Sequence, residues 1–315
     1  KRRHMARSLQ EEHHRTYQRH GRDDSSVYRR CHDRSQEVVM IFYFSGTGNT
    51  RWAAIQIGAA TQERLINIAD YSDYLSADKD IEPFALKEGE RLGFVFPVHG
   101  WRAPRLVRSF ISRLRLKPFG DGISPDSKPF CYAVCTAGDS IGKTIDTLNK
   151  SLQANHQLQA MGISQPDSDY SLIMPESYVG LPFMDVDPSE KEKRKKEKAA
   201  QQLKAICEDL RERKTGISHL TEGPLPWFFT YVVGGFFEHV LITDKRFHVV
   251  EERCVKCGIC ANVCPVGDIS GGKGKKPVWL HHDDCLTCFS CYHHCPHHAI
   301  EFGRQTQKKG QYYYK

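Results

Sequence analysis

Between residues 38 and 174 the chain alternates short unbroken apolar runs with longer amphipathic stretches. Residues 38–44 form a continuous apolar run, the pattern of a parallel strand buried on both faces. Residues 51–60 follow with Trp52, Ile55 and Ala59 at helical spacing. Residues 65–68 and 91–97 read as the second and third strands. Residues 103–116 read as a helix, with apolar positions at 106, 107, 110, 111 and 114. A fourth strand is expected at 129–136, a helix at 141–159 and a fifth strand at 171–174. Regular strand–helix alternation predicts an α/β fold with a doubly wound parallel sheet. On such sheets ligands bind at the carboxyl ends of the strands, near the switch point.

The pattern then changes. Asp187, Pro188 and Glu190 mark a helix start, and Ala199, Leu203, Ile206 and Leu210 give the buried stripe of a helix over 187–213. The charges at 191–198 are mixed in sign and read as a solvated face. Residues 223–242 are unusually apolar, but the uninterrupted part falls short of the roughly twenty residues that a membrane span needs. Glu238 and His239 break it. The stretch reads as a bridge packed between two domains, shielding the route between cofactors; contact with a membrane surface is the alternative. Residues 304–315 are polar and basic and are expected to fray. Residues 1–37 are rich in Arg, His, Gln and Ser and read as a disordered tail. Met40, at the first strand, is the expected natural start.

Near the C-terminal end the cysteines repeat. Cys254, Cys257, Cys260 and Cys264-Pro265 return as Cys285, Cys288, Cys291 and Cys295-Pro296, each 31 positions later. Ile269 and Ile300 keep the same offset, so a whole unit is duplicated. Three thiolates two residues apart wrap three corners of an iron–sulfur cube, while the fourth, before proline, reaches the other cube. One 4Fe–4S cluster is therefore expected on Cys254, Cys257, Cys260 and Cys295, the other on Cys285, Cys288, Cys291 and Cys264. Zinc is the competing metal, but paired knuckles around one tetrahedral ion do not produce a triple C-x-x-C-x-x-C ending in C-P. These residues resemble the bacterial two-cluster ferredoxins, with no ligand missing.

Directly after the first strand stands Ser45-Gly46-Thr47-Gly48-Asn49-Thr50. A small, hydroxyl- and glycine-rich loop between strand and helix is a phosphate cradle, with the helix N-terminus supplying partial positive charge. It lacks the lysine of a nucleoside-triphosphate loop and the G-x-G-x-x-G of a dinucleotide site. A near match to the former, Gly138 to Thr144, has one residue too few between its glycines. Ser45, Thr47, Gly48, Asn49 and Thr50 resemble the loop that holds the phosphate of FMN in flavodoxins. That resemblance implies a flavin beside the loop of Pro97, Val98, His99, Gly100 and Trp101 and the loop of Thr136, Ala137, Gly138, Asp139 and Ser140. Trp101 is the expected stacking ring, against the plainer role of packing beneath its own loop.

A flavodoxin-like half followed by a small α+β ferredoxin-like half resembles the EFR-type family, fused proteins of anaerobic bacteria, over about residues 40–303. The resemblance implies FMN, two 4Fe–4S clusters and electron transfer. The expected division is a tail at 1–37, an FMN domain at 38–214, the bridge at 215–243, a two-cluster domain at 244–303 with repeats at 244–274 and 275–303, and a polar tail at 304–315. The formal charge is +7, of which residues 1–37 hold +4, so no basic patch for nucleic acid is indicated beyond that tail. The other cysteines, Cys31, Cys131, Cys135 and Cys207, show no framework spacing, which fits a reducing cytoplasm. His281, His282, His293, His294, His297 and His298 lie outside the cluster pattern and are expected at the surface, or as tuners of cluster potential. Two functions follow: an electron carrier serving a redox partner protein, or an FMN-dependent oxidoreductase reducing a small molecule with electrons from the clusters. An empty flavodoxin-like domain used only for docking is a third.

Overall fold

The computed structural model describes residues 40–73, 80–86, 90–118 and 128–315. The expected tail at 1–37, with Cys31, and the first two positions of the expected first strand lie outside them.

Strand β1 (Met40–Tyr43), helix α1 (Asn49–Thr61) and β2 (Arg64–Asn67) open the chain. They are followed by β3 (Phe84–Leu86), β4 (Arg91–Pro97), α2 (Arg105–Arg113), β5 (Leu116–Pro118) and β6 (Phe130–Ala137). Then come α3 (Thr144–Ala154), α4 (His156–Ala160), β7 (Ser168–Ile173), α5 (Ser189–Arg211) and β8 (Ile217–His219). The main sheet has the order β2-β1-β4-β6-β7-β8, and every pair in it is parallel. Counting only its first five strands in chain order, this is 2-1-3-4-5, the flavodoxin-like winding.

Alternation along the strands builds the three layers. Met40, Phe42 and Phe44 face one core with Phe94, Phe96, Phe110 and Leu148. Ile41 faces the other, with Val95, Val134, Ile57 and Leu203. Helices α2 and α3 cover the first face, α1 and α5 the second, which is why the strands read as unbroken apolar runs.

Three differences from the sequence reading have physical causes. The helix expected over 141–159 breaks at Asn155, whose side chain caps α4 through the N–H groups of Gln157 and Leu158. Asn155 also donates to the carbonyls of Ile111 and Leu114, so the break is fixed by tertiary contacts. Strand β7 begins at Ser168, three residues before the expected start, where Asp169 and Ser168 interrupt the apolar pattern. Strand β8 carries only exposed or half-buried residues and adds an edge through backbone pairing.

Beyond β8 the bridge is one continuous helical rod: a π-helical Phe228–Val233, a single α turn Gly234–Phe236 and a π-helical Phe237–Leu241. The last unit contains β9 (Phe247–Val249), α6 (Ile259–Asn262), β10 (Ile269–Gly272), β11 (Lys275–Trp279), α7 (Ser290–His293) and β12 (Ile300–Phe302). Strand β9 pairs antiparallel with β12, and β10 with β11. Its core is aromatic: Phe247, Trp279, Phe289, Tyr292 and Phe302. No helix among the described residues is long and apolar enough to cross a membrane.

One buried cluster predicts that the stability of the α/β unit depends on pH. Glu63 is 2% exposed, accepts from the Tyr132 hydroxyl and pairs with Arg91 at 3.4 Å. Burial outweighs these partners and pushes its carboxyl up to about 7. A carboxyl raised on folding stabilises fully below its unfolded value and loses that contribution as pH rises through the folded value. Denaturation between pH 5 and 8 should therefore show stability falling by on the order of 3 kcal/mol from this group. Glu63→Gln should flatten that slope; an unchanged slope would remove Glu63 as its source.

Candidate cofactor sites

The duplicated cysteines occupy equivalent places in the two halves of the last unit. Cys254, Cys257 and Cys260 run from a loop into α6, and Gly258 turns the chain there at φ 84°. An added Cβ at Gly258 would stand 2.7 Å from the Gly272 backbone, so only glycine lets the β10–β11 turn close on this loop. The cavity inside the loop is lined by Cys254, Cys257, Cys260 and Cys295 together with Pro277 and His297. Cys295 thus comes to the first repeat from the far end of the second. Reciprocally, Cys264 lies close enough to Cys285, Cys288 and Cys291 to help raise all three thiols. Among the described residues no three His, Cys, Asp or Glu side chains gather around a single-ion position. Four thiolates around a cube are a different requirement from three ligands on a single ion.

Burial raises the Cys260 thiol to about 11 and the Cys288 thiol to about 12, and pushes Cys291 and Cys285 up further. Left as thiols, these groups keep their protons at neutral pH; iron has to displace them. Backbone N–H groups already aim at sulfur, from Thr287 to Cys285 at 3.4 Å and from Ala299 to Cys295 at 3.2 Å.

The phosphate-type loop sits where expected, between β1 and α1. Gly48 takes φ 96°, and its N–H donates to Ser45 Oγ at 3.1 Å. The N–H groups of the first turn of α1 have no acceptor within the helix, as at every helix start, and this end fits an anion. The hydroxyls are tied into the fold: Thr47 Oγ1 donates to Ser177 at 3.1 Å, and Thr50 shares a 2.7 Å hydrogen bond with Thr136. Asn49 donates to the Pro175 carbonyl at 3.0 Å.

The two side loops lie at the same sheet edge, and here the structure adds what the sequence did not show. Trp101 donates from Nε1 to Ser140 at 3.2 Å and packs on Phe229 of the bridge at 4.8 Å between ring centres. In this conformation the plainer role for Trp101 is therefore filled, and the loops touch. Gly100 lies under Phe237, whose ring would stand 2.6 Å from an added Cβ. Only part of His99 is covered, yet the surrounding atoms push its imidazole down to about 4. A fourth loop, Pro175 to Tyr178 after β7, escaped the sequence reading. The carboxyl-end rule applied to the fifth strand would have found it. Its Glu176 accepts from the N–H groups of Ser177 and Tyr178 at 2.8 Å, is raised by burial, and packs directly on Gly138.

The last unit docks on this same edge. Leu286 is 4% exposed and belongs to the α/β core, with Cys288, Val266 and Val98 packed around it. An added Cβ on Gly46 would stand 3.0 Å from Cys288 Cβ. His293, expected at the surface, is 2% exposed. Its Nδ1 accepts from the Tyr312 N–H at 3.1 Å, so the proton sits on Nε2, which donates to the Ser177 carbonyl at 2.6 Å. Burial lowers it to about 4, consistent with a neutral ring. His294 and His298 are half-buried, whereas His281, His282 and His297 are exposed as expected.

The expected fraying of 304–315 is also corrected. Tyr314 donates its N–H to the Thr47 carbonyl at 2.8 Å and stacks on Trp52, and the Tyr312 hydroxyl donates to Asn49 Oδ1 at 2.6 Å. The bridge, expected between the units, lies mainly on the 100–101 and 140–143 loops. Thr230 donates to the Trp101 carbonyl, Phe237 packs on Tyr178 and so reaches the aromatic core beyond, and Thr243 at the end of the bridge donates its N–H to Thr287 at 2.9 Å.

Residues 247–296 match the family model of the 4Fe–4S dicluster domain. A ferredoxin of Streptomyces griseus is 33% identical over 70 residues, which are 22% of this chain and 65% of that ferredoxin, just under two thirds of its length. An uncharacterized protein from the rpl9-rpl11 intergenic region of Porphyra purpurea is 34% identical over 53 residues, 15% of this chain and 71% of that protein. A solved structure of a proposed flavoprotein from Bacteroides eggerthii aligns over 38% of this chain and 83% of its own, at 22% identity and a TM-score of 0.24. The flavodoxin-like winding of the α/β half is given by its own strand order. By fold and site the chain is a flavodoxin-like unit fused to a ferredoxin-like unit. Through the latter it belongs to the 4Fe–4S dicluster family.

His293→Ala should loosen the seam. It removes two buried hydrogen bonds, a cost of roughly 2–3 kcal/mol. Amide exchange should accelerate at 175–178 and 312–314 before it does in β4 and β6. Uniform protection across these segments would show that His293 is not the tie.

Proposed function

We propose that this protein transfers electrons between two 4Fe–4S clusters in its last unit and an FMN at the carboxyl edge of its α/β unit, in exchange with a redox partner protein. The observation that carries this reading is the contact of Gly46, in the phosphate-type loop, with Cys288, in the second cysteine set. A cluster ligand and the flavin loop then share one seam, with no intervening layer. The clusters supply reversible one-electron chemistry, and a flavin takes one electron or two.

The chain's own contribution is positional. Cys254, Cys257, Cys260 and Cys295 hold one cluster, and Cys264, Cys285, Cys288 and Cys291 the other. The first turn of α1, with Ser45 and Thr47, holds the flavin phosphate. His99, Trp101 and the 136–140 loop border its ring. Leu286, docked in the α/β core, keeps water from the seam, and His293 fixes the distance across it. Cys131, Cys135 and Cys207, buried free thiols outside the two cluster sets, fit a reducing cytoplasm.

Spectroscopy of anaerobically purified variants tests the ligand sets. Cys254→Ser and Cys295→Ser should disturb the same cluster, and Cys264→Ser the other. If Cys264→Ser and Cys254→Ser lose one and the same signal, the crossed ligation is wrong. For the flavin, Thr47→Ala should weaken FMN binding about tenfold with iron content unchanged. Ser177→Ala, which removes the same internal hydrogen bond but no phosphate donor, should not. Equal FMN affinity in both variants moves the phosphate elsewhere.

A further inference from the structure

The two cysteine sets differ in their surroundings. The second faces inward: Cys288 abuts Gly46, and Leu286 is sunk in the α/β core. The first faces out. Cys257 is exposed, and the neighbouring Val255 is 57% exposed in the loop over the cavity. That loop is joined to the β10–β11 turn by the Gly274 N–H donating to the Lys256 carbonyl at 2.8 Å. The turn brings Lys273 and Lys275 beside Lys256, all three exposed. Two acids lie near: Glu251 is paired with Lys276, and Glu252 is the other. The rim of the outward set is thus an apolar tip beside an exposed thiol, ringed by a net positive charge.

We infer that the face formed by Val255, Lys256, Cys257, Lys273 and Lys275 is the port at which an acidic one-electron carrier protein docks. This rests on the electron-transfer reading above. A small apolar centre inside a charged rim is the form of a transient protein interface, and the rim's sign selects a partner of opposite charge. The exchange is a single electron: the reduced carrier is oxidised by one, the outward cluster is reduced by one, and no bond or proton moves. The inward set then connects that port to the Gly46 seam, so the clusters act in series rather than as alternatives.

The test uses the full chain with both clusters in place and an acidic two-cluster ferredoxin as the probe. Binding of the oxidised probe is measured calorimetrically, and electron transfer from the reduced probe by rapid mixing, each at low and high salt. Lys256→Glu, Lys273→Glu and Lys275→Glu combined should weaken binding and slow transfer about tenfold or more at low salt, with the difference shrinking as salt screens it. The control variant combines Lys193→Glu, Lys198→Glu and Lys204→Glu on α5, exposed positions with the same change in net charge. It should change either quantity less than about twofold. Equal losses in both variants would reduce the effect to overall charge and overturn the port, as would no loss in the first. Iron and sulfide analysis separates the two claims. A chain purified without clusters sinks the electron-transfer reading, while a fully loaded chain indifferent to the rim lysines sinks only the port.

Discussion

The architecture depends on one seam, where the 285–293 segment of the ferredoxin-like unit meets the carboxyl edge of the parallel sheet. Leu286 contributes apolar burial to the α/β core, and His293 contributes direction. A neutral imidazole that accepts on one nitrogen and donates on the other fixes the ring, the 175–178 loop and the C-terminal segment at once. Apolar contact alone would allow sliding; a buried bidirectional hydrogen bond does not. With the seam set, Cys288 must lie against Gly46, and the two candidate cofactor sites become neighbours.

The C-terminal segment closes the same region from the other side. Its polarity suggests fraying, yet Tyr312 and Tyr314 give it two aromatic anchors, and Asn49 and Trp52 supply the receiving surface. Lys196 on α5 lies over both rings, at 5.2 Å and 4.7 Å, adding cation–π attraction. The phosphate-type loop is thus flanked by Cys288 on one side and Tyr314 on the other. A Cβ at Gly46 would stand 3.0 Å from Cys288 Cβ, and one at Gly48 3.0 Å from Tyr314 Cβ.

The bridge serves the sheet edge more than the space between units. Glu238 turns inward to Arg102 and Arg108, and Thr230 stitches the 101 and 143 loops together. Its outer row, Trp227, Phe228, Val232, Phe236 and Val240, is left exposed. A wide helix with π-type turns satisfies its own backbone while spreading the apolar side chains over both faces. Composition therefore marked the segment as buried, when within residues 223–242 only Thr230, Gly234 and Phe237 are.

By itself the sequence determined the parts whose signal is local. Alternating and unbroken apolar runs give the parallel sheet, and the 31-residue repeat gives the two cysteine sets. The small-residue loop after β1 marks the turn from the first strand into α1. Each follows from backbone period or ligand spacing, which neighbouring residues carry in full. Only the tertiary structure decided which set faces inward, that Trp101 lies under the bridge, that His293 is buried and that the last twelve residues hold. Those outcomes depend on surfaces meeting across long separations of chain, 116 positions for Ser177 with His293 and 263 for Asn49 with Tyr312. A polar residue that finds its partner at such a distance leaves no periodicity behind. His293 and Tyr312 therefore read as surface until the fold brings their partners to them.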